Sequence, residues 1–207
     1  MCAGWFVLRS GASSTAPVSP SDEEASTSAG ATRRPPERGP LPLNTPMTAP
    51  VPLSVAATME ISVTAIRASS TLPNWQRYTF GTGNLVDGSL ATSWQPADKR
   101  SGVGAWFQLA YAPARLASFD VANGFQLVDD LGDLFLMNAR IVRAELETSS
   151  GHRQELAFDA NARGWTRFTV GERAPSTWVR VTVQNASAGE RFSDLAISEV
   201  RVQGVAQ

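Results

Sequence analysis

The sequence predicts an all-β protein, a β-sandwich of about eight strands that follows an N-terminal segment rich in Pro and Ser. Downstream of about residue 55, apolar residues alternate with polar ones at a period of two, as half-buried strands do. Turn residues separate these runs, and none has the period of an amphipathic helix. The six tryptophans among 207 residues also favour strands, where aromatic side chains are common.

The segment before the alternating region has a different composition, dominated by Ser, Thr, Ala, Pro and Gly. Its prolines oppose helix and favour extended backbone; they include Pro40, Pro42, Pro46, Pro50 and Pro52. Such a segment cannot bury enough apolar surface to offset its chain entropy. We therefore predict a disordered linker over residues 1–55 and one folded domain over residues 56–207.

Residues 1–8 are apolar and are followed by Arg9. They fall short of the about 20 residues that span a membrane, and three interpretations stay open. They form a disordered terminus; or they are the last turns of a transmembrane helix that begins upstream, a remnant of a membrane anchor; or Cys2 carries a lipid, although the residues expected before such a cysteine are missing.

The first predicted strand covers about residues 59–68 and contains Ile61, Val63 and Ile66. A long loop follows at 71–83. The remaining strands are predicted at 107–109, 119–121, 141–148, 156–158, 168–170, 178–183 and 195–202. A slip in the apolar spacing of the last strand predicts a β-bulge near Ser198 and Glu199.

The stretch 84–94 organises the predicted domain. Asp87 and Gly88 form a tight-turn signal, and Thr92 and Trp94 point the same way if the chain then runs extended. This favours a buried Trp94 beneath a polar turn that is able to bind a cation. We also assign Trp106 to the core.

Composition and charge argue against several function classes. The net charge of −1 offers no basic face for nucleic acid. With Cys2 as the one cysteine, no intrachain disulfide can form. The one histidine, His152, lies in a predicted hairpin turn, where a Ser–His–acid triad would be poorly held. We predict neither an enzyme nor an obligate oligomer.

Several short motifs occur in a characteristic order. They are Ala68-Ser69-Ser70, Asn84-Leu85-Val86-Asp87-Gly88 with Thr92 and Trp94, Gly102-Val103-Gly104-Ala105-Trp106, Val179-Arg180-Val181 and Ala196-Ile197-Ser198-Glu199-Val200. Together they resemble a discoidin, or coagulation factor type C, module. More narrowly, residues 57–204 are similar to the glycan-binding, or translocation, domain of secreted NAD glycohydrolase toxins, which recurs on bacterial surface proteins. The motifs that carry this narrower resemblance are the run Gly102–Trp106, Asn123-Gly124-Phe125, Asn138-Ala139-Arg140-Ile141 and Asp194-Leu195-Ala196-Ile197-Ser198-Glu199.

The resemblance implies a galactose-binding-like jelly roll whose loops at one end engage sugar. It implies an extracytoplasmic place, on the cell surface or secreted, and a glycan or another cell-surface ligand. We expect a non-catalytic carbohydrate-binding or surface-recognition module on a flexible stalk. The alternative is a protein–protein docking domain of a membrane-anchored envelope protein. A third interpretation is part of an NAD glycohydrolase, whose activity belongs to a separate domain of that family.

Related jelly rolls often hold a structural Ca²⁺ beside the first Asp-Gly turn. The matching positions are Asp87, Thr92 and Glu199, and Ca²⁺ prefers oxygen ligands such as theirs. Ser89 stands where a further carboxylate is often found. The alternative is that Asp87 caps its own turn and Glu199 pairs with an arginine.

We expect the ligand site where the loops 71–83, 122–139 and 184–194 meet, because long loops in a compact fold tend to be functional. Aromatic rings stack on sugar C–H surfaces, while Arg and Asn side chains bond hydroxyl groups. The candidate ligand-binding residues are Trp75, Asn123, Phe125, Arg140, Arg191 and Phe192. The alternative is that these rings only close the end of the sandwich.

Overall fold

The computed structural model describes residues 58–97 and 100–207. The predicted linker, 1–55, and the apolar residues 1–8 lie outside the described residues. Within them, no helix has the length and apolar character to cross a membrane.

The fold is built almost entirely of strands, which confirms the predicted class. The strands are β1 Met59–Glu60, β2 Val63–Ala68, β3 Trp106–Asn123, β4 Val128–Asp129, β5 Gly132–Asp133, β6 Arg140–Thr148, β7 Arg153–Ala157, β8 Trp165–Thr169, β9 Ser176–Ser187 and β10 Ile197–Ala206. A 3₁₀ turn covers Thr82–Leu85, and one short helix, α1, covers Leu134–Met137.

The two layers of the sandwich share strand β3. Its first half pairs with β2 on one side and with β9 on the other. On that second side, β9 pairs with β6, and β6 pairs with β7. The second half of β3 pairs with β8 and β10, and β10 pairs with β1. The β9 pairing is interrupted between Ala110 and Ala114, where Pro113 has no N–H to donate. Sequence analysis predicted two strands here; the structure has one strand of 18 residues, because the break in alternation is a corner between layers.

The core lies between the layers and contains Phe107, Phe119 and Trp94, none of which is exposed. Trp94 packs edge-on against Phe107, with ring centroids 5.6 Å apart, and its Nε1 donates to the Ser70 carbonyl at 3.1 Å. Its predicted burial is confirmed. The assignment of Trp106 to the core is wrong, because alternation turns Phe107 inward and leaves Trp106 half-buried on the outer face.

The first and last strands of the domain differ from the prediction in one detail each. The first predicted strand is divided, because β1 joins β10 whereas β2 joins β3. The predicted bulge is displaced, since β10 pairs with β3 in register from Glu199 to Gln203 and shifts before Gly204. Ser198 and Glu199 are both buried, so polar residues occupy covered positions at the start of β10. The irregular spacing of the apolar residues there therefore does not reflect a bulge.

Candidate ligand-binding site

The three long loops converge around a cavity of about 230 Å³. Its aromatic wall consists of Trp75, Tyr78, Phe80, Phe125 and Phe192. Its polar lining residues are Gln95, Asn138 and Asp194. The connection predicted at 184–194 is shorter than expected, since β9 continues to Ser187. The structure thus brings together three of the six candidates: Trp75, Phe125 and Phe192.

Trp75 stands at the cavity mouth on a tight turn. The backbone N–H groups of Trp75 and Tyr78 donate to each other's carbonyls at 3.1 and 2.9 Å, and Gln76 takes a positive φ of 52°. The two rings stack with centroids 5.9 Å apart. Trp75 remains 46% exposed, so this turn presents the indole ring to solvent at the cavity.

Arg77 connects the turn at Trp75–Tyr78 to the β4–β5 hairpin. Its guanidinium donates to Asp129 and to the Tyr78 hydroxyl, both at 2.9 Å, and also contacts Asp130. The Tyr78 hydroxyl donates to Asp129 at 2.6 Å, and this bond holds the pKa of Asp129 below its usual value. Burial raises the pKa of Tyr78. Two walls of the cavity are therefore tied together across its mouth.

Arg140, a predicted ligand-binding residue, lies behind the cavity. Its Nε donates to the Ala160 carbonyl at 2.7 Å, and its Nη1 donates to the carbonyls of Asn138, at 3.0 Å, and of Phe135. The two bonds from Nη1 satisfy carbonyl groups that the end of α1 leaves free, and the bond from Nε reaches the segment between β7 and β8. Burial lowers the pKa of Arg140. The structure gives Arg140 a structural position because its donors are directed at the backbone.

Asn123 is likewise placed in the interior. Its Nδ2 donates to the Ile141 carbonyl, and its Oδ1 accepts from the Ile141 N–H, both at 2.9 Å. This pair joins the end of β3 to the start of β6 and leaves Asn123 only 2% exposed. Arg191 is exposed and outside the cavity lining, with its guanidinium carbon 5.2 Å from the Phe192 ring centroid.

Sequence analysis missed Gln95 and Asn138. Gln95 follows the buried Trp94, so an extended chain directs it away from the core and under the loops. The alternation of side-chain direction after Trp94 could therefore have identified Gln95 from the sequence. Asn138 follows α1, a helix that the sequence did not predict. The motif Asn138-Ala139-Arg140-Ile141 contributes to the family resemblance, but nothing in it indicated that Asn138 lines a cavity.

The metal candidates Asp87, Thr92 and Glu199 surround one turn. Asp87 accepts from the Ser89 N–H and the Thr92 hydroxyl, both at 2.8 Å. Glu199 accepts from the Gly88 N–H at 3.2 Å and is 3% exposed. Burial, with the nearby charge of Asp87, raises the pKa of Glu199 to about 7.

This arrangement agrees with the alternative for Asp87, which caps its own turn, while Glu199 meets the turn instead of forming an ion pair with an arginine. The oxygen donors also suit a hard cation. Among the described residues, no group of three or more Asp, Glu, His or Cys side chains is arranged so that it could hold a metal ion. A cation at this turn would therefore need hydroxyl and carbonyl oxygens in addition to the two carboxylates.

Residues 58–203 match the sequence profile of the NAD glycohydrolase translocation F5/8 type C domain. The chain belongs to this family. The resemblance noted in the sequence is confirmed. No curated protein sequence matches the chain.

Solved structures share the jelly-roll fold of this F5/8 type C domain. Truncated AlyQ, with CBM32 and alginate lyase domains, superposes with a TM-score of 0.53 at 13% identity, over 73% of this chain and 34% of that one. The family 32 CBM (carbohydrate-binding module) from C. perfringens NanJ, in complex with galactose, gives 0.50 at 13% identity, over 70% and 99%. The arabinofuranosyltransferase AftD from Mycobacteria gives 0.50 at 22% identity, over 70% and 11%.

The F5/8 type C domain spans about a third of the AlyQ chain and a smaller part of AftD. At these identities the likeness establishes the jelly-roll fold, which confirms the predicted architecture.

Proposed function

We propose that this F5/8 type C domain binds a glycan, without cleaving it, in the cavity where its three long loops meet. The observation that carries the proposal is the aromatic wall, in which Trp75 exposes its ring beside the polar side chains of Gln95 and Asn138. Sugars present C–H faces that stack on such rings and hydroxyl groups that bond to amides. A cavity of about 230 Å³ is far larger than the roughly 30 Å³ share of one water molecule.

The comparisons support this ligand class by analogy. The NanJ module was solved with galactose, and AlyQ carries a module of the same type beside a lyase. The family name points to NAD glycohydrolases, and we assign that activity to a separate domain of such proteins. We further propose an extracytoplasmic place, with the predicted linker as a stalk.

The lining favours binding over hydrolysis. Glycosidases generally use two carboxylic acids across the scissile bond. Among the described residues that line the cavity, Asp194 is the one carboxylic acid. The cavity therefore lacks a second acid in the part of the chain that the structure describes.

A glycan array probed with the full-length chain tests the proposal. Trp75→Ala and Phe192→Ala are each expected to weaken binding by at least about tenfold, or about 1.4 kcal/mol, with an unchanged melting temperature. Trp165→Ala is the matched control, because Trp165 is an exposed tryptophan, 36% accessible, on β8 and outside the cavity. Equal binding by all four proteins would place the site elsewhere, and absence of any glycan bound by the wild type would overturn the proposal.

A protein partner is the second candidate. Val128 and Leu136 lie on the same loops as the cavity and are 65% and 38% exposed, which favours an apolar contact beyond a single sugar. Val128→Ser with Leu136→Ser separates the two functions. Glycan binding that survives this double substitution, with loss of retention on the cell surface, would favour a protein partner at these side chains.

We also propose that a structural Ca²⁺ is held at the Asp87 turn by Asp87, Thr92 and Glu199 with loop carbonyls. The raised pKa of Glu199 supports this, because the burial of Glu199 and the nearby charge of Asp87 both disfavour its ionised form. A divalent cation bound there would offset their repulsion and tie β10 to the turn.

A further inference from the structure

Two buried carboxamides, together with the carboxyl group of Asp194, form the polar part of the cavity. Gln95 is 3% exposed and Asn138 is 4% exposed, and both line the cavity opposite aromatic rings. Amide side chains are seldom buried this deeply, and when they are, their polar atoms almost always have partners.

The hydrogen bonds of these two side chains are incomplete. The Gln95 Nε2 donates to the Ser93 hydroxyl at 3.2 Å, and the Asn138 Nδ2 donates to the Leu134 carbonyl at 2.9 Å. A carboxamide has two N–H groups and an oxygen with two lone pairs. Within residues 58–97 and 100–207, neither side-chain oxygen accepts a hydrogen bond. Each amide therefore keeps an open acceptor, and a second N–H, beside the cavity.

Both side chains are held in place by their own backbone. The Gln95 carbonyl accepts from the Leu72 N–H at 2.8 Å, and the Gln95 N–H donates to the Phe80 carbonyl at 3.4 Å. The Asn138 N–H donates to the Leu134 carbonyl at 3.1 Å. A ligand that meets these amides loses little chain entropy in doing so, because the site is already ordered.

The open positions specify the chemistry of the ligand. An amide oxygen needs an O–H donor and an amide N–H needs an oxygen acceptor, and a sugar hydroxyl supplies both. An anionic sugar would instead require a cation. The guanidinium groups of Arg140 and Arg77 are directed at backbone carbonyls and at acidic side chains, and none of the described lining residues is Arg or Lys.

We propose that Gln95 and Asn138 bind neighbouring hydroxyl groups of a neutral sugar whose C–H face stacks on the aromatic wall. This inference rests on the proposed glycan binding and narrows it to a ligand class. We expect carboxylated sugars, such as uronic acids, to bind more weakly, because the described lining contains no Arg or Lys and does contain the carboxyl group of Asp194.

The test measures the affinity of the full-length chain for the methyl glycosides of galactose, glucose, mannose and N-acetylglucosamine, with methyl galacturonide as the anionic probe. Gln95→Met keeps the length of the side chain and removes its hydrogen bonds. It is expected to weaken binding of the preferred neutral sugar by at least about tenfold. Gln154→Met is the matched control, since Gln154 lies on β7 and outside the lining.

Monodeoxy versions of the preferred sugar then identify the hydroxyl. Removal of the hydroxyl that contacts Gln95 should weaken wild-type binding but leave binding by Gln95→Met unchanged, as a double-mutant cycle requires. Asn138→Leu, which removes the oxygen and both N–H groups at a similar size, should likewise be insensitive to removal of a different, adjacent hydroxyl group. Thermal melting checks that each variant folds, and Gln95→Leu, which also removes the hydrogen bonds of the side chain, replaces Gln95→Met if the latter does not fold.

Wild-type strength of binding in a folded Gln95 variant, together with loss in Trp75→Ala, would overturn this inference and leave the proposed function standing. Two further results would overturn the inference in the same way. One is that Gln95→Met weakens the binding of every deoxy sugar equally, and the other is that the wild type binds the galacturonide more tightly than the neutral sugars. If no probe binds the wild type, both the inference and the proposed function fall.

Discussion

Asn123 connects the end of β3 to the start of β6 through two hydrogen bonds to the Ile141 backbone. Both bonds are buried, so Asn123→Ala leaves an N–H and a carbonyl without partners. We expect a loss of about 2–4 kcal/mol of unfolding free energy in urea, at roughly 1–2 for each bond. Asn161→Ala, at an exposed turn, is the control and should change stability little. A stable Asn123→Ala variant that fails to bind glycan would restore the ligand-binding role.

Trp94 is fully buried against Phe107 and also donates a hydrogen bond to Ser70. Trp94→Ala is therefore expected to cost about 3–5 kcal/mol, the range for a large aromatic deleted from a core. Thermal or urea unfolding measures this loss. Trp165→Ala, which removes an exposed ring, should cost much less. A near-wild-type midpoint for Trp94→Ala would mean that the ring is not part of the core.

At the level of elements, the segment after β9 packs its backbone directly against α1. The Phe192 N–H donates to the Met137 carbonyl at 2.8 Å. A Cβ at Gly189 would lie 2.2 Å from the same carbonyl oxygen and 2.5 Å from that of Phe192, so no side chain fits there.

Gly189→Ala should therefore displace this segment, lower stability by about 1–3 kcal/mol and weaken binding by moving Phe192. Gly171→Ala is the matched control, because a Cβ there meets nothing within 4 Å. Urea unfolding and glycan affinity are the two measurements. Equal stability of both variants would show that the loop shifts without cost.

The Asp87 turn joins the strand-rich core through Glu199 on β10. If Ca²⁺ binds there, a chelator should lower the melting temperature of the wild type. Calcium at about 100 times its Kd would contribute about 2.7 kcal/mol. Asp87→Ala should abolish this response. Asp159→Ala is the control: it removes a similar turn cap, which accepts from the Asn161 N–H, and its melting temperature should still fall when the chelator is added. No chelator effect in the wild type would leave Asp87 as a turn cap alone.

For the whole molecule, composition predicts that residues 56–207 fold without residues 1–55. The family match, 58–203, begins close to this predicted boundary. Limited proteolysis of the full-length chain should leave a resistant fragment that begins near residue 56, because a Pro/Ser-rich segment offers cleavable backbone. A resistant fragment that extends well upstream of residue 50 would contradict this prediction.

Much of the architecture could be predicted because it follows from local patterns. Alternation with a period of two identified most strands, and the Asp-Gly turn beside Trp94 located a central core residue. The long loops were visible as gaps between these runs, and the structure brings them together at one end. Both strands predicted within β3 are present, but the predicted break between them is wrong. A corner within one strand and a loop between two strands interrupt alternation in the same way.

By itself, the sequence determined the β-sandwich, the family and the loops that build the cavity, since periodicity, turn residues and motif order act over a few neighbouring residues. Only the tertiary structure decided which polar side chains line the cavity. Asn123 and Arg140 turn inward to the backbone, whereas Gln95 and Asn138 line the cavity. The physical reason is that burial of a polar side chain depends on distant segments that cover it. Glu199 meets the Gly88 backbone across 111 positions of the chain, and no local pattern records such a contact.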